Sequence, residues 1–311
     1  MYIGIDIGRT QIKYALVDDA VQIFENSALH KPKDKGPFLE QVTAIIQAYQ
    51  EKHDDILGVG ISAPGIIQKD GMMTTAGAIR SLYGTNLKEE IEARTGMVTV
   101  IENDANAVAI AEKWVGNAQD LDNYLCIVLG TGVGGGIVIN GEVFRGAHGL
   151  AGEFGWAITK ELPEEGNIEY ASLNLHISVI GGLCRLYNEA LIKEQPEATS
   201  IWDAREILQR YTENEPIARQ IVDCFHQDLA IGLMNLISQY DPEAILIGGG
   251  ISANEQFFNG LKETLEKLET RHESINFIKQ YGWAPILPAK LKNDAGIIGA
   301  VYPLHKKSQS S

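Results

Sequence analysis

Residues 2–18 read YIGIDIGRTQIKYALVD, and residues 125–144 read LCIVLGTGVGGGIVINGEVF. Each stretch contains an apolar run, a bend with glycine and threonine, and a second apolar run, which is the pattern of a β-hairpin. The same plan occurring twice indicates an internal duplication rather than a short-period repeat. Because single cores stop growing near roughly 250–300 residues, the 311-residue chain is expected to form two lobes.

Further strand and helix signals surround the two hairpins. Buried strands are predicted for ILGVGISAPGII (56–67), which runs into a Pro-Gly turn, and for PEAILIGGGIS (242–252), which ends in glycines. VTVIENDANAVAIAEKWVG (98–116) predicts a strand, a polar turn and an alanine-rich helix. NDAGIIGAVYPL (293–304) predicts a helix of small residues that can pack closely on another element. The predicted fold class is therefore α/β.

Charge and composition narrow the range of partners. The formal net charge is −15, from 41 acidic and 26 basic residues, so the basic surface that nucleic acid requires is not expected. No apolar run approaches the ~20 residues of a membrane span, and the N-terminus lacks a basic signal region. We therefore expect a cytoplasmic protein. The three cysteines are too far apart for a CxxC site and are expected to be buried free thiols: Cys126, Cys184 and Cys224.

Three glycine-containing bends each follow a predicted strand, namely GIDIGRT (4–10), LGTGVGG (129–135) and IGGGIS (247–252). Their backbone amides can approach an anion closely, and Thr10 and Thr131 add hydroxyl donors, so the bends are candidates for phosphate binding. Each bend taken alone is equally well explained as a tight turn. None matches GxxxxGK[ST] or a Rossmann fingerprint. Asp6 lies in the first bend, where Mg²⁺ held through water would reconcile its charge with bound phosphates.

Two groups of polar residues are candidates for catalysis or ligand binding. Asn103 and Asp104 precede the alanine-rich helix, where either one suffices as an N-cap and the helix dipole favours a charged Asp104. An amide beside a carboxylate that takes up a proton is also what phosphorylation of an alcohol requires. Glu153 and Glu169 are flanked by small residues; most such glutamates are merely solvated. The glycines around Glu153 favour a backbone shaped around a ligand.

Taken together, these motifs resemble the ROK family of sugar kinases and sugar-responsive repressors. The resemblance runs from about residue 2 to about residue 302 and includes ENDANAVAIAE (102–112) and GTGVGGGIVINGEVFRGAHGLAGEFGW (130–156). It implies a two-lobed actin-like ATPase fold with duplicated RNase H-like domains and a central cleft that binds ATP, Mg²⁺ and sugar. The expected N-terminal lobe is 1–118, joined by a C-terminal helix at about 294–311; the expected C-terminal lobe is 119–293.

The resemblance also assigns roles to particular residues. Asp104 is implied to be the base acting on the 6-hydroxyl of a sugar, and Asn103 to bind sugar hydroxyls. The remaining implied sugar-binding residues are Gly65, Glu153 and Glu169. Those implied to bind the phosphates and nucleotide are Gly8, Thr10, Thr131, Gly132, Gly249 and Gly250, with Asp6 as the residue that holds Mg²⁺.

Two positions depart from the family pattern. Trp156 stands where the family usually has a histidine that touches the sugar and ligates a structural zinc ion, and ELPEEGNIEYAS (161–172) has none of the zinc-binding cysteines. Zinc is therefore not expected. Ala78 stands where many glucose-phosphorylating members carry asparagine. Trp156 offers an apolar face to a sugar ring, which favours a β-glucoside such as cellobiose; it serves equally well as packing in place of zinc, which leaves glucokinase and N-acetylmannosamine kinase open.

Two other functions compete with a kinase. Repressors of the family carry a helix-turn-helix domain of roughly 70–80 residues before the first phosphate loop, whereas here that loop starts at Gly4 and the charge opposes DNA binding. A catalytically silent sugar sensor or a structural actin-like protein would not need Asp6, Asp104 and all three loops. We therefore expect an ATP-dependent sugar kinase, with a homodimer suggested by family habit alone.

Overall fold

The structure, a computed structural model, describes residues 1–77 and 79–309. Its strands are β1 (Tyr2–Ile7), β2 (Gln11–Val17), β3 (Ile23–His30), β4 (Gly58–Ala63), β5 (Met72–Met73), β6 (Thr85–Asn86), β7 (Thr99–Asn103), β8 (Tyr124–Leu129), β9 (Val133–Ile139), β10 (Glu142–Val143), β11 (Ala244–Gly248) and β12 (Ile286–Pro288). Its α-helices are α1 (Lys35–Gln50), α2 (Leu87–Thr95), α3 (Asp104–Val115), α4 (Asn174–Ile177), α5 (Arg185–Glu194), α6 (Ala204–Thr212), α7 (Pro216–Tyr240), α8 (Glu255–Arg271), α9 (Glu273–Ile278) and α10 (Ala295–Gln309). Within these described residues, no helix combines the length and apolar character of a membrane span.

Two five-stranded sheets share one plan. The first has the order β3-β2-β1-β4-β7 and the second the order β10-β9-β8-β11-β12. In the first sheet β1 lies beside β2, and β4 and β7 extend the sheet from β1 in parallel. In the second sheet β8 takes the place of β1, and β11 and β12 extend the sheet in parallel in the same way. β1 and β2 form the predicted antiparallel hairpin. The α/β class and the internal duplication predicted from the sequence are therefore confirmed.

The chain divides into two compact units. Unit 1 comprises Met1–Asp120, Gly136–Ala151 and the chain from Lys290 onward, and unit 2 comprises Leu121–Gly135 and Gly152–Ala289. The segment Gly136–Ala151, which the sequence analysis placed in the C-terminal lobe, belongs to unit 1. The lobe boundaries expected from the sequence stay a prediction.

The first sheet of unit 1 separates two apolar layers. Side chains alternate between the faces of a strand, and Ile3 and Ile5 of β1 pack in the same buried cluster as Phe38 of α1. Tyr2 faces the other way and packs with Ile297 of α10. Because the central strand β1 is buried on both faces, its sequence is apolar throughout except at Asp6.

A buried carboxylate joins the end of α3 to the segment that precedes α10. Glu112 is fully buried. Its Oε1 atom accepts the backbone N–H of Leu291 at 2.9 Å, and its Oε2 atom accepts the backbone N–H of Asn117 at 2.8 Å. A buried carboxylate is tolerated only when such donors satisfy it. Glu112 therefore connects α3 to the segment that precedes α10.

Helices α7 and α8 form much of the core of unit 2. The His226 side chain on α7 is 1% exposed and packs against the ring of Phe257 on α8, with 4.8 Å between the ring centroids. Burial lowers the pKa of His226 to about 4, whereas the nearby charge of Asp223 acts in the opposite direction. The helix interface therefore contains a neutral imidazole at neutral pH.

The cysteines are partly as expected. Cys126 and Cys184 are buried free thiols, but Cys224 is exposed on α7. The prediction was wrong for Cys224 because its side chain lies on the solvent face of an amphipathic helix, a position that residue type alone does not reveal.

Close packing of α10 against α3 requires glycine at position 299. A Cβ atom at Gly299 would overlap the backbone carbonyl of Ala107. We therefore expect Gly299→Ala to lower the free energy of unfolding by about 2 kcal/mol or more, because overpacking against backbone cannot be relieved by a rotamer change. Urea unfolding measures the effect. The matched control is Gly36→Ala in α1, where a Cβ atom would meet nothing within 4 Å; equal stability of both variants would contradict the packing argument.

The buried His226 predicts a pH dependence of stability. In the unfolded chain the imidazole takes up a proton near pH 6.5, but in the folded protein it does so only near pH 4, so stability falls as the pH is lowered through this window. Between pH 6.5 and 4.5 we expect this group to account for a loss of about 2 kcal/mol. Urea unfolding at both pH values should show that His226→Met removes this part of the loss. Exposed His148 provides the control: an equal change in His148→Met would refute the assignment.

Candidate functional site

The junction of β7 and α3 brings together three of the predicted sugar-site residues in unit 1. Asn103 is the N-cap of α3, and its Oδ1 atom accepts the backbone N–H groups of Ala105 and Asn106, both at 3.0 Å. Its Nδ2 atom donates to the carbonyl of Gly65 at 2.9 Å. Asp104 follows as the first residue of α3. The amide of Asn103 is thus held on both sides, beside the proposed base.

Gly65 is required by the shape of its turn. Its φ angle is +101°, a conformation that side chains disfavour, and a Cβ atom would overlap the carbonyl of Thr75. The turn begins after β4 and points the Gly65 carbonyl at Asn103. Gly65 therefore belongs to the same cluster through its backbone rather than through a side chain.

The first glycine bend lies at the turn of the β1–β2 hairpin. Asp6 is partly buried near the end of β1, and its Oδ1 atom accepts a hydrogen bond from Ser62 Oγ at 3.0 Å. Burial raises the pKa of Asp6, while the Ser62 hydrogen bond and the charge of Lys13 act in the opposite direction. A partly buried carboxylate with so few neutralising contacts suits a Mg²⁺ ion, which keeps most of its waters and needs only one or two carboxylates. Gly8 and Thr10 follow at the bend, with Thr10 exposed.

The two glycine loops of unit 2 lie side by side. β8 and β11 are parallel neighbours, with Val128 opposite Gly248. The loop that contains Thr131 and Gly132 leaves β8, and the loop that contains Gly249 and Gly250 leaves β11 at the same edge. The structure thus brings the four predicted nucleotide residues of unit 2 to one edge of the second sheet.

Asn174 supports the first of these loops and was missed by the sequence analysis. Its Oδ1 atom accepts the backbone N–H of Val133 at 2.9 Å. The carbonyl of Gly130 accepts the N–H groups of Val179 and Ile180, at 2.9 and 3.2 Å, where a π-helical turn begins. No sequence motif marks Asn174, because its partner lies 41 residues away.

Glu153 precedes, and Trp156 ends, a short 3₁₀ helix in unit 2. Glu153 is partly buried and precedes the helix Phe154–Trp156; desolvation raises the pKa of its carboxyl group. The Trp156 side chain is 55% exposed. An indole this exposed adds little to the core, so the packing interpretation of Trp156 gains no support from its position.

The segment that contains Glu169 is held against neighbouring parts of unit 2 by polar contacts. Ile158 and Ser172 form an isolated antiparallel bridge, which connects this segment to the residues that follow Trp156. Lys160 Nζ lies 2.5 Å from Oδ1 of the buried Asp228 on α7, and His176 Nε2 lies 2.9 Å from the Tyr170 carbonyl oxygen. Glu169 itself is exposed. Ala78, the other departure from the family pattern, lies outside the described residues.

Known proteins resemble this chain along almost its entire length. Residues 2–307 match the ROK family. A β-glucoside kinase from Listeria monocytogenes is 36% identical over 298 residues, which cover 96% of this chain and 95% of that protein. A ROK family protein from Streptococcus pneumoniae, solved in complex with sucrose, has a TM-score of 0.84 and 27% identity, covering 100% of this chain and 99% of the other.

A ROK family glucokinase from Streptomyces griseus, solved in complex with glucose and AMPPNP, has a TM-score of 0.78 and 28% identity and covers 97% of this chain and 98% of its own. These neighbours confirm the actin-like ATPase fold expected from the sequence. The family match and the 36% identity extend beyond any single motif. The chain therefore belongs to the ROK family.

Proposed function

We propose that this protein is an ATP-dependent carbohydrate kinase that phosphorylates the 6-hydroxyl of a glucose-type sugar, with a β-glucoside such as cellobiose as the favoured acceptor. The observation that carries the proposal is the β7–α3 junction, where the amide of Asn103 is fixed between Gly65 and the first turn of α3. Asp104 follows immediately. In this proposal the junction offers an amide and a neighbouring carboxylate to the substrate alcohol.

In this proposal Asp104 orients the sugar 6-hydroxyl and accepts its proton while the hydroxyl oxygen attacks the γ-phosphorus of ATP and ADP leaves. Positioning and charge stabilisation supply most of the catalysis of such a transfer. Thr131 and the backbone amides of the glycine loops are proposed to bind the phosphates. Asp6 would hold Mg²⁺ through water, because its carboxylate would otherwise repel the bound phosphates. When bound, the ion would neutralise phosphate charge.

The remaining predicted residues are proposed to bind substrate. Glu153 and Glu169 accept hydrogen bonds from sugar hydroxyls, as carboxylates in polar sites do. The exposed indole of Trp156 offers a face on which the second ring of a β-glucoside can lie. The likeness to the β-glucoside kinase of Listeria monocytogenes supports the same acceptor class. The homodimer and the cytoplasmic location stay predictions.

The role of Asp104 predicts a selective loss of turnover. Asp104→Asn retains the shape of the side chain and loses the base, so we expect turnover to fall about 10²–10⁴-fold while the affinity for sugar changes little. ADP release measures turnover, and calorimetric titration measures sugar binding. The control is Asp54→Asn on the surface of unit 1, which should behave as the unsubstituted protein does. Near-normal turnover in Asp104→Asn would contradict the role of Asp104 as the base.

The acceptor preference is tested with a panel of glucose, N-acetylmannosamine, N-acetylglucosamine, fructose, cellobiose and gentiobiose. We expect the β-glucosides to give the highest kcat/KM. Trp156→Ala should lower kcat/KM for cellobiose about tenfold and leave that for glucose nearly unchanged, because only the second ring loses its stacking surface.

Trp202→Ala is the matched control for this comparison, since Trp202 is 54% exposed on another part of unit 2. Turnover of glucose equal to or better than that of cellobiose would remove the β-glucoside assignment and leave a hexose kinase. A monosaccharide such as N-acetylmannosamine ahead of all others would make that sugar the acceptor.

A further inference from the structure

Three neighbouring strands of the first sheet place polar side chains in one row. Asp6 on β1 lies opposite Ser62 on β4, and Ser62 lies opposite Glu102 on β7. Paired residues of adjacent strands point to the same face of a sheet. Ser62 and Glu102 are both buried. The row therefore runs from the candidate Mg²⁺ ligand to the residue that directly precedes Asn103.

Glu102 uses both carboxylate oxygens. Its Oε1 atom accepts the backbone N–H of Asn103 at 3.0 Å and Nδ2 of Asn106 at 3.2 Å. Its Oε2 atom accepts a charge-assisted hydrogen bond from the guanidinium of Arg145. Glu102 is only 5% exposed. A carboxylate so deeply buried is stable only because a cation and several donors surround it.

Arg145 follows β10 in sequence and belongs to the same unit as Glu102. Its other terminal nitrogen, Nη1, donates to the carbonyl of Val143 at 3.4 Å. Two hydrogen bonds thus fix the orientation of the planar guanidinium, which a lysine ammonium could not reproduce. Arg145 connects the segment Gly136–Ala151 to the strand that leads into the candidate site.

We propose that Glu102 and Arg145 are positioning residues for the phosphoryl transfer, an inference that rests on the function proposed above. Glu102 holds the backbone of Asn103, and Asn103 holds the first turn of α3. The position of the Asp104 carboxylate therefore depends on Glu102 and Arg145. Arg145 fixes the second oxygen of Glu102 and balances its buried charge. Neither residue needs to touch the sugar.

The chemistry of the pair predicts an unusual order of severity among variants. Arg145→Met leaves the Glu102 carboxylate buried without its cation, and an unpaired buried charge strongly destabilises the structure around it. Glu102→Gln combined with Arg145→Met leaves no buried charge, and the glutamine carbonyl still accepts the N–H of Asn103. The double variant should therefore be more active than the single variant Arg145→Met.

The first measurement is steady-state kinetics with the best acceptor of the sugar panel, at a temperature where every variant is folded. Arg145→Met should lower kcat about 100-fold, because a displacement near 1 Å can cost that much, and leave KM for ATP within about twofold. The double variant should have a kcat at least tenfold higher than that of Arg145→Met. Arg94→Met is the matched control, since Arg94 pairs with the carboxylate of Glu90 at the solvent-facing side of α2. A kcat for Arg145→Met within twofold of the unsubstituted value would overturn the proposal.

The second measurement, amide hydrogen exchange, does not depend on turnover. Arg145→Met should accelerate exchange at Ala105 and Asn106, whose N–H groups Asn103 caps, without changing exchange along α10. Unchanged exchange at these two amides would overturn the positioning role. If the unsubstituted protein turns over no sugar, the proposed kinase function fails, while the exchange data still decide whether the pair positions α3.

Discussion

Because β1, β4 and β7 pair in parallel, their carboxyl ends meet at one edge of the first sheet, and everything proposed for unit 1 depends on that register. A shift by one residue would turn Asp6, Ser62 and Glu102 to the opposite face. The buried isoleucines that alternate with Asp6 oppose such a shift, since each would lose its place in the core. The apolar packing of the sheet thus determines where its polar row lies.

The same register explains why buried charge is tolerated beside the candidate site. Ser62 Oγ donates to Asp6, while Glu102 is balanced by Arg145. Glu112, one helix further on, is satisfied by two backbone N–H groups instead of a cation. The guanidinium of Arg145 thus balances Glu102, and backbone N–H groups stabilise Glu112. Asp6 has the Ser62 hydrogen bond and the nearby charge of Lys13, and its metal ion stays a proposal.

Local sequence patterns were sufficient for the hairpin, the strand–helix junction and the glycine loops. The bends follow strands. Asn103 is the N-cap of α3, as asparagine before an alanine-rich helix predicts. The partners of these residues could not be predicted, because they lie far away in sequence. Glu102 is an acidic residue at the end of an apolar run, an anomaly that signals a buried role, but nothing in the chain points to Arg145, 43 residues later. The exposure of Trp156 likewise depends on tertiary packing.

The segment that contains Glu169 is held by contacts within unit 2 that involve no residue of the glycine loops. The family resemblance associates position 156 with a histidine that both touches sugar and ligates zinc, so one side chain serves two purposes there. Here the segment containing Glu169 is held by the Ile158–Ser172 bridge and by Lys160 on buried Asp228. The sequence predicts no zinc site here, and under that prediction the residue at position 156 has no ligating role. Under the proposed function, the exposed indole of Trp156 serves acceptor binding rather than the stability of the segment.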